Sequence, residues 1–279
     1  DHPFQYDDIH SIVDNFHLRT LANSDDYFLR SDMFSADPKG AMYRPLVLVS
    51  YTFNYAIDGY RVAGYRLFNI VVHLGSALLL WGLVRRLTDS AAAALAVGLL
   101  FALHPIAGEP VNYISSRSES LCALFVLAGL TCHTMFKQEG GRGLRLGAVV
   151  AFAGAMLAKS VGLVLPLVLL LYDLTTSGRS WRWREQATYY LPYALVGGAY
   201  VIGVRQALQT ALVDYPVRSF GIQIATQCKA LVYYLKLLAL PWGQSVEHQF
   251  ALARGWGDLA VWSAAVLVGS LGYGLWRGG

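Results

Sequence analysis

Two adjacent carboxylates near the start of the chain are the first candidates for chemistry. Asp7 and Asp8 follow the aromatic residues Phe4 and Tyr6 and come just before a series of long apolar segments. In a solvated turn such a pair has no chemical role. Beside a membrane, however, a carboxylate that faces a lipid-borne substrate can take the proton from an acceptor hydroxyl. The pair is therefore a candidate general base, provided that suitable partner groups lie on the same side of the membrane.

Charged and polar side chains at the ends of the apolar segments can supply those partner groups. Charge is costly at membrane depth, so each such residue is a candidate site residue. Arginine binds phosphate through its planar fork and lysine as a point charge, so the cations among them suit a phosphate-bearing ligand. The candidates for binding the donor phosphate or the substrate are Arg44, His104, Glu109, Arg117, Glu119 and Lys159.

Simpler roles remain open for several of these residues. Glu109, Arg117 and Glu119 can pair with one another at the surface. Lys159 can instead extend its ammonium group from a helix end toward water. Both explanations require no substrate, and the sequence alone does not decide between them and a phosphate site.

Other polar residues have a structural explanation. We expect Asp173 to be a helix-terminal or structural group, and His73 to be a packed, hydrogen-bonded side chain on an apolar helix. The spacing of His2, His10 and His17 is not typical of a metal site. We therefore expect no metal site among them.

The elements that must position these residues are predicted to be membrane helices. Hydrophobic residues make up 55% of the chain and charged residues only 14%. The apolar segments lack the alternation of a strand, and backbone groups in lipid must be paired within their own segment, so the segments are predicted to be helices. The sequence predicts an all-α polytopic membrane protein. The helices are expected near residues 64–84, 90–104, 118–136, 144–158, 161–175, 187–204, 222–240 and 258–276.

The basic residues predict which helix ends face the cytoplasm. They are concentrated in loops after alternate helices, at 85–86, 137–145 and 179–184, and the positive-inside rule places these loops in the cytoplasm. The net charge of +4 is explained in this way and does not indicate a nucleic-acid partner. By alternation, the opposite, external side receives residues 1–60, 105–117, 158–161 and 205–221, while the topology beyond residue 222 stays open.

Residues 1–60 are predicted to form an external loop with short amphipathic helices that lie on the membrane surface. Pro45 is expected to begin a new helical element, with Arg44 directly before it. Residues 61–279 are expected to form the helical membrane domain. Because an external first segment must be carried across the membrane, we also expect a helix before Asp1.

Several motifs in a fixed order resemble a known family. The series is F-x-Y-D-D from Phe4, Y-R-P-L from Tyr43, F-A-L-H-P-I-A-G-E-P from Phe101, A-K-S-V-G from Ala158 and L-L-Y-D-L from Leu170. In this order and spacing, over residues 4–175, the chain resembles the membrane protein O-mannosyltransferases that carry tetratricopeptide repeats. The resemblance implies a type C glycosyltransferase-like helical bundle.

The resemblance also implies an activity. Its donor would be a polyprenyl-phosphate sugar, often mannose, and its acceptor a hydroxyl on protein or lipid. Asp7 or Asp8 would be the catalytic base, and Arg44, His104, Glu109, Arg117, Glu119 and Lys159 would line the donor-phosphate pocket. Transfer would occur with inversion on the external face of the plasma (inner) membrane, and no cofactor or metal is implied.

The chain departs from the family pattern in ways that support a second hypothesis. Residues 158–160 read Ala-Lys-Ser where the family has Ser-Lys-Glu, and residues 116–119 read Ser-Arg-Ser-Glu in place of Gly-Arg-x-Asp. The 279 residues contain no tetratricopeptide repeats. An inactive homologue that serves as a structural subunit of a larger membrane complex is therefore the alternative. A transporter is disfavoured, because the sequence shows no inverted repeat.

Overall fold

The computed structural model describes residues 3–37, 40, 42–176, 183–212, 219–243, 251–253 and 255–278. Within these residues every regular element is helical, in agreement with the predicted all-α class. The α-helices are α1 (Pro45–Asp58), α2 (Val62–Thr88), α3 (Ala91–Leu103), α4 (Gly108–Asn112), α5 (Arg117–Glu139), α6 (Arg142–Ala158), α7 (Leu165–Thr176), α8 (Trp183–Leu212), α9 (Phe220–Ala239) and α10 (Leu259–Gly278).

Each of the eight predicted apolar segments forms a helix, namely α2, α3 and α5 to α10. Two stretches, Val62–Thr88 and Ile114–Glu139, are long and apolar enough to cross a membrane on their own. Ala91–Leu103 and Pro105–Asn112 together form a third candidate span, which is bent by 47°. The described part of the chain thus contains two or three candidate membrane spans by length and composition.

The chain divides into two compact units. The first contains residues 1–103 and 107–211, and the second contains residues 104–106 and 212–279. All the predicted site residues except His104 therefore belong to the first unit.

The N-terminal segment forms short helical turns. They are packed rather than loose, because their apolar side chains share one core with residues of α1, α2, α5 and α6. Ile12, Leu18 and Tyr27 are among the side chains buried there. This packing holds the acidic motif, Asp7 and Asp8, against the helical domain. The turns are Ile9–Val13, Phe16–Arg19, Leu21–Asn23, Asp26–Phe28 and Asp32–Phe34.

Helices α2 and α5 run parallel, and this fixes which loops meet. At the start of both helices, the Arg117 guanidinium donates to the carbonyl of Tyr65 and to the side chain of Asn69. At their other ends, Arg86 pairs with Glu139 at 2.8 Å. The starts of α2 and α5 therefore lie together, and so do their ends, while the assignment of the loops to the two sides of a membrane stays a prediction.

Asp173 is a structural group, as expected. It is fully buried and joins α5, α7 and α8. Its carboxylate accepts hydrogen bonds from His133 Nε2 at 2.8 Å and from the Tyr190 hydroxyl at 3.0 Å, and it pairs with Lys137 Nζ at 2.9 Å. The buried charge is thus compensated by three donors, which is the condition for placing a carboxylate in an apolar bundle.

His73 also has the structural role that the sequence predicts. Its Nε2 lies 3.2 Å from the carbonyl oxygen of Ala102, and its ring stacks on Phe101 with centroids 5.2 Å apart. These contacts join α2 to the end of α3.

Candidate active site

The residues at the start of α5 connect the acidic motif to the predicted cations. Residues 113–120 read Tyr-Ile-Ser-Ser-Arg-Ser-Glu-Ser, and we call them the hub segment. Together its residues contact the N-terminal segment, α1, α2, α4 and Lys159. Successive residues of a helical turn point about 100° apart, so neighbouring positions can reach different elements.

The two carboxylates of the acidic motif have different environments. Asp8 is only 2% exposed. It accepts hydrogen bonds from the Ser115 backbone N–H at 2.8 Å, from the Ser115 hydroxyl at 2.6 Å and from the Gln5 N–H at 3.1 Å. Burial raises the pKa of Asp8, and these hydrogen bonds oppose that rise. The Asp8 carboxylate is thus committed to attaching the motif to the hub segment.

Asp7 has a fixed backbone and an accessible carboxylate. Its N–H donates to the Tyr113 hydroxyl at 3.1 Å, and its carbonyl accepts from the Ser11 hydroxyl. Its side chain is 68% exposed and lies 3.4 Å from His10 Nε2. Burial raises the pKa of Tyr113 to about 12, so the phenol stays protonated at neutral pH. Of the two acids, Asp7 is therefore the one that can meet a substrate hydroxyl.

Two predicted cations are joined through the hub segment. Arg44 Nη1 donates to the Ser118 hydroxyl at 3.1 Å, and that hydroxyl donates to Glu119 Oε2 at 2.7 Å. The other oxygen of Glu119 forms an ion pair with Lys159 Nζ. The Lys159 side chain keeps 28% of its surface exposed, so its ammonium group is held in place and still accessible.

Arg117 is enclosed by the protein. It is 0% exposed. Its Nε donates to Asn69 at 2.8 Å, its Nη1 to Asn54 at 2.7 Å and to Ser50 at 3.1 Å, and its Nη2 to the Tyr65 carbonyl at 2.9 Å. The guanidinium also lies over the aromatic rings of Tyr51, Tyr65 and Phe68. These acceptors are amides, a hydroxyl and a carbonyl, so Arg117 holds α1, α2 and α5 together.

The surface pairing of Arg117 with Glu109 and Glu119 is not formed. Glu119 pairs with Lys159 instead, and Glu109 is exposed, with its Oε1 at 3.5 Å from the Ser116 hydroxyl. The remaining hub residues contact backbone and aromatic groups. The carbonyl of Ile114 accepts from the Tyr51 hydroxyl at 3.1 Å, and the Ser120 hydroxyl donates to the Pro110 carbonyl at 3.2 Å.

His104 lies in the second unit. Its Nε2 donates to the Leu238 carbonyl at 3.0 Å, and its Nδ1 accepts from the Ile106 N–H at 3.2 Å. The two bonds together define the tautomer with the proton on Nε2. Both ring nitrogens of His104 are thus engaged by backbone groups.

A comparison with known families decides the relationship. The sequence profile described as dolichyl-phosphate-mannose-protein mannosyltransferase matches residues 45–203, which is more than half of the chain. The chain belongs to this mannosyltransferase family. The matched region includes α1, the whole hub segment and Lys159, so the polar network described above lies mostly inside it.

The chain is also similar in sequence to individual protein O-mannosyl-transferases. It is 29% identical to the protein O-mannosyl-transferase Tmtc2 of Drosophila melanogaster over 85% of this chain and 27% of that protein. It is 27% identical to human protein O-mannosyl-transferase TMTC4 over 64% of this chain and 27% of the relative. With Drosophila Tmtc1 the identity is 32%, over 61% of this chain and 20% of the relative. The chain thus spans a minor part of each relative's length, and no solved structure matches it.

The hub segment contains residues that position the candidate site and that the sequence does not single out. Tyr113, Ser115 and Ser118 attach Asp7, Asp8 and Arg44 to α5. The available signal was the density of hydroxyls, since four of the six residues from 115 to 120 are serines at the start of an apolar helix. Serine at a helix start is usually explained by capping, so the pattern does not by itself indicate a site.

Proposed function

We propose that the chain is a membrane mannosyltransferase that uses a polyprenyl-phosphate mannose donor, such as dolichyl-phosphate-mannose, and a hydroxyl acceptor on a protein. The observation that carries the proposal is the hub segment. It holds an accessible carboxylate, Asp7, through Tyr113, and it holds two cations, Arg44 and Lys159, through the neighbouring residues Ser118 and Glu119. Family membership supports the choice of donor.

In the proposed reaction Asp7 is the general base. The acceptor oxygen attacks the anomeric carbon of the sugar while its proton passes to the Asp7 carboxylate. The bond between that carbon and the phosphate oxygen breaks, and the phosphate leaves with the electron pair. A single displacement of this kind inverts the anomeric configuration. The reaction takes place on the face of the membrane that carries the N-terminal segment, which the charge pattern predicts to be external.

The leaving phosphate needs positive charge close by. Lys159 and Arg44 are the accessible cations that contact the hub segment. Fixed cations stabilise the charge that develops as the phosphate leaves. We give Arg117 a different role from that of the phosphate-binding residue that the sequence predicts. Because it is enclosed, we assign it to positioning the hub segment. Glu119 orients Lys159, and Glu109 lies exposed beside Ser116 as a candidate contact for the acceptor.

The proposal is tested by transfer of radiolabelled mannose from a polyprenyl-phosphate donor to acceptor protein in detergent. Asp7→Asn should lower turnover about 10²–10⁴-fold, the usual contribution of a general base. Asp25→Asn is the matched control, because Asp25 is an exposed acid of the same N-terminal segment whose side chain makes no capping bond. Lys159→Gln should weaken donor binding, and Lys159→Arg should retain most of it.

Unchanged turnover in Asp7→Asn would remove the base assignment. A wild-type chain that neither binds the donor nor transfers the sugar, yet co-purifies stably with other membrane proteins, would favour the inactive-subunit alternative. That alternative is motivated by Ser160, which stands beside Lys159 where the family carries an acid.

A further inference from the structure

A cleft of about 270 Å³ lies at the far end of α5 from the hub segment. Lys137, which lines it, follows Arg117 by 20 positions in one helix. At 1.5 Å per residue the two lie about 30 Å apart along the axis, which is the thickness of a bilayer's hydrocarbon core. With the hub segment at one headgroup level, the cleft lies at the other. Its lining includes Lys137, Arg145, Glu185, Gln186, Thr188 and Tyr189.

Two cations are held in place around one aromatic ring in this cleft. Arg145 Nη2 donates to the Thr188 carbonyl at 2.8 Å, and its guanidinium lies 5.2 Å from the centroid of the Tyr189 ring. Lys137 Nζ pairs with Asp173 at 2.9 Å and lies 5.2 Å from the same centroid. Most of the N–H groups of Arg145 have no acceptor among the described residues. The pair is thus pre-organised for an anionic group such as a phosphate.

The cleft also contains an acceptor that lacks a donor. Gln186 Oε1 is buried and has no hydrogen-bond partner among the described residues. A buried carbonyl oxygen without a partner is unfavourable, and such groups in native proteins usually await a ligand or a water. An occupant of the cleft that carries an N–H or O–H group would satisfy it.

We propose that this cleft binds the headgroup of phosphatidylethanolamine. The phosphate contacts Arg145 and Lys137, and the ammonium group donates to Gln186 Oε1. Choline fits poorly for two reasons: it has no N–H to donate, and two protein cations already lie over the ring of Tyr189 that would attract it. The proposal concerns lipid recognition and is independent of the transfer reaction.

Native mass spectrometry of the delipidated 279-residue chain tests the proposal. Phosphatidylethanolamine should be retained about tenfold more strongly than phosphatidylcholine with the same acyl chains. Arg145→Ala should reduce phosphatidylethanolamine binding about tenfold. Arg142→Ala is the matched control, because Arg142 precedes Arg145 by one turn of α6 and does not line the cleft. It should bind the lipid as the wild type does.

Gln186→Leu separates recognition from folding. It removes the unpaired oxygen, so the lipid-free variant should unfold at the same or a higher temperature than the wild type. Its preference for ethanolamine over choline should nevertheless fall to about twofold or less. Equal binding of both lipids by the wild type would overturn the proposal, as would a preference that survives in Gln186→Leu. Inorganic phosphate that stabilises the protein as strongly as the lipid would also overturn it, because the ligand would then be free phosphate.

Discussion

At the level of single residues, Arg117 joins more of the fold than any other predicted site residue. Its guanidinium donates from α5 to Ser50 and Asn54 on α1 and to Asn69 and Tyr65 on α2. A buried cation without a carboxylate is tolerated only when its donors are accepted, and aromatic faces add further stabilisation. The position of the hub segment therefore depends on this one side chain.

Replacing Arg117 with lysine should destabilise the fold by about 3 kcal/mol, because a point ammonium group cannot reach acceptors on two helices at once. Denaturant unfolding in detergent measures the change. Arg61→Lys is the control, since Arg61 is 78% exposed and pairs with Asp58 on the surface. It should change the free energy of unfolding by less than about 0.5 kcal/mol. Equal stabilities of the two variants would contradict the role given to Arg117.

Asp8 predicts a pH dependence of stability. Burial raises its pKa in the folded protein above the ordinary value of 3.8, so the folded state holds the proton more tightly than the unfolded chain does. The stability from this group is complete below 3.8 and is lost as the pH rises through the raised pKa. Asp8→Asn removes the titration. The free energy of unfolding of the wild type should therefore rise relative to that of Asp8→Asn between pH 7 and pH 4. If the difference in free energy of unfolding between the two proteins stayed constant from pH 7 to pH 4, the raised pKa of Asp8 would be contradicted.

The sequence predicts which side chains form the candidate site better than it predicts what each of them does. Charge patterning predicts that Asp7, Asp8, Arg44 and Lys159 lie on one side of the membrane, and in the structure all four contact the hub segment. The sequence could not separate the roles of Asp7 and Asp8, because they are identical neighbours. Their difference arises from Ser115, which lies 107 positions from Asp8. The sequence likewise does not predict that Arg117 is enclosed, because its acceptors come from other helices that are distant in sequence.

At the level of elements, the turn after α6 determines where Lys159 lies. Residues Ser160–Val164 fold back against the helix, and a Cβ on Gly162 would lie 2.5 Å from the carbonyl carbon of Ala155. The Lys159 N–H ends α6 by donating to the Ala155 carbonyl at 2.9 Å. Apolar length and the lack of alternation predicted all eight long helices. They did not predict this turn, because the close approach depends on how two elements pack.

Gly162→Ala should cost about 1–3 kcal/mol of stability, since the added methyl group forces the turn away from α6. It should also weaken donor binding through the displacement of Lys159. Thermal unfolding and donor titration measure the two effects. Gly198→Ala is the control, because Gly198 lies exposed within α8 and its Cβ would meet nothing within 4 Å. That change should stabilise the protein by up to about 1 kcal/mol. If Gly162→Ala were also neutral or stabilising, the turn would not depend on the close approach.

At the level of the whole molecule, the second unit includes three residues from the middle of the first. Residues 104–106 belong with residues 212–279, although α3 and α4 on either side belong to the first unit. The chain therefore enters the second unit twice. His104 ties the first passage to α9 through the Leu238 carbonyl. No sequence pattern indicates this arrangement, because the position of His104 at a helix end suggests only a site residue.

His104→Leu should loosen the second unit selectively, because it removes both the donor to Leu238 and the acceptor for Ile106. Hydrogen exchange followed by mass spectrometry should show faster exchange in peptides from residues 220–239 and unchanged exchange in peptides from residues 62–88. His104→Gln, which retains a donor, should lie between the wild type and the leucine variant. Equal effects on both sets of peptides would show that the histidine does not act within the second unit.

The hub segment has a consequence for how the chain tolerates changes in length. A substitution there removes the contacts of one side chain, but the loss of a single residue turns every later side chain by about 100° and exchanges all the partners at once. The loop at Gly140 and Gly141 is the opposite case, because both glycines have positive φ and an added Cβ would meet nothing within 4 Å. Insertions and deletions in natural or engineered versions of this chain should therefore accumulate at the glycine pair and be absent from residues 113–120.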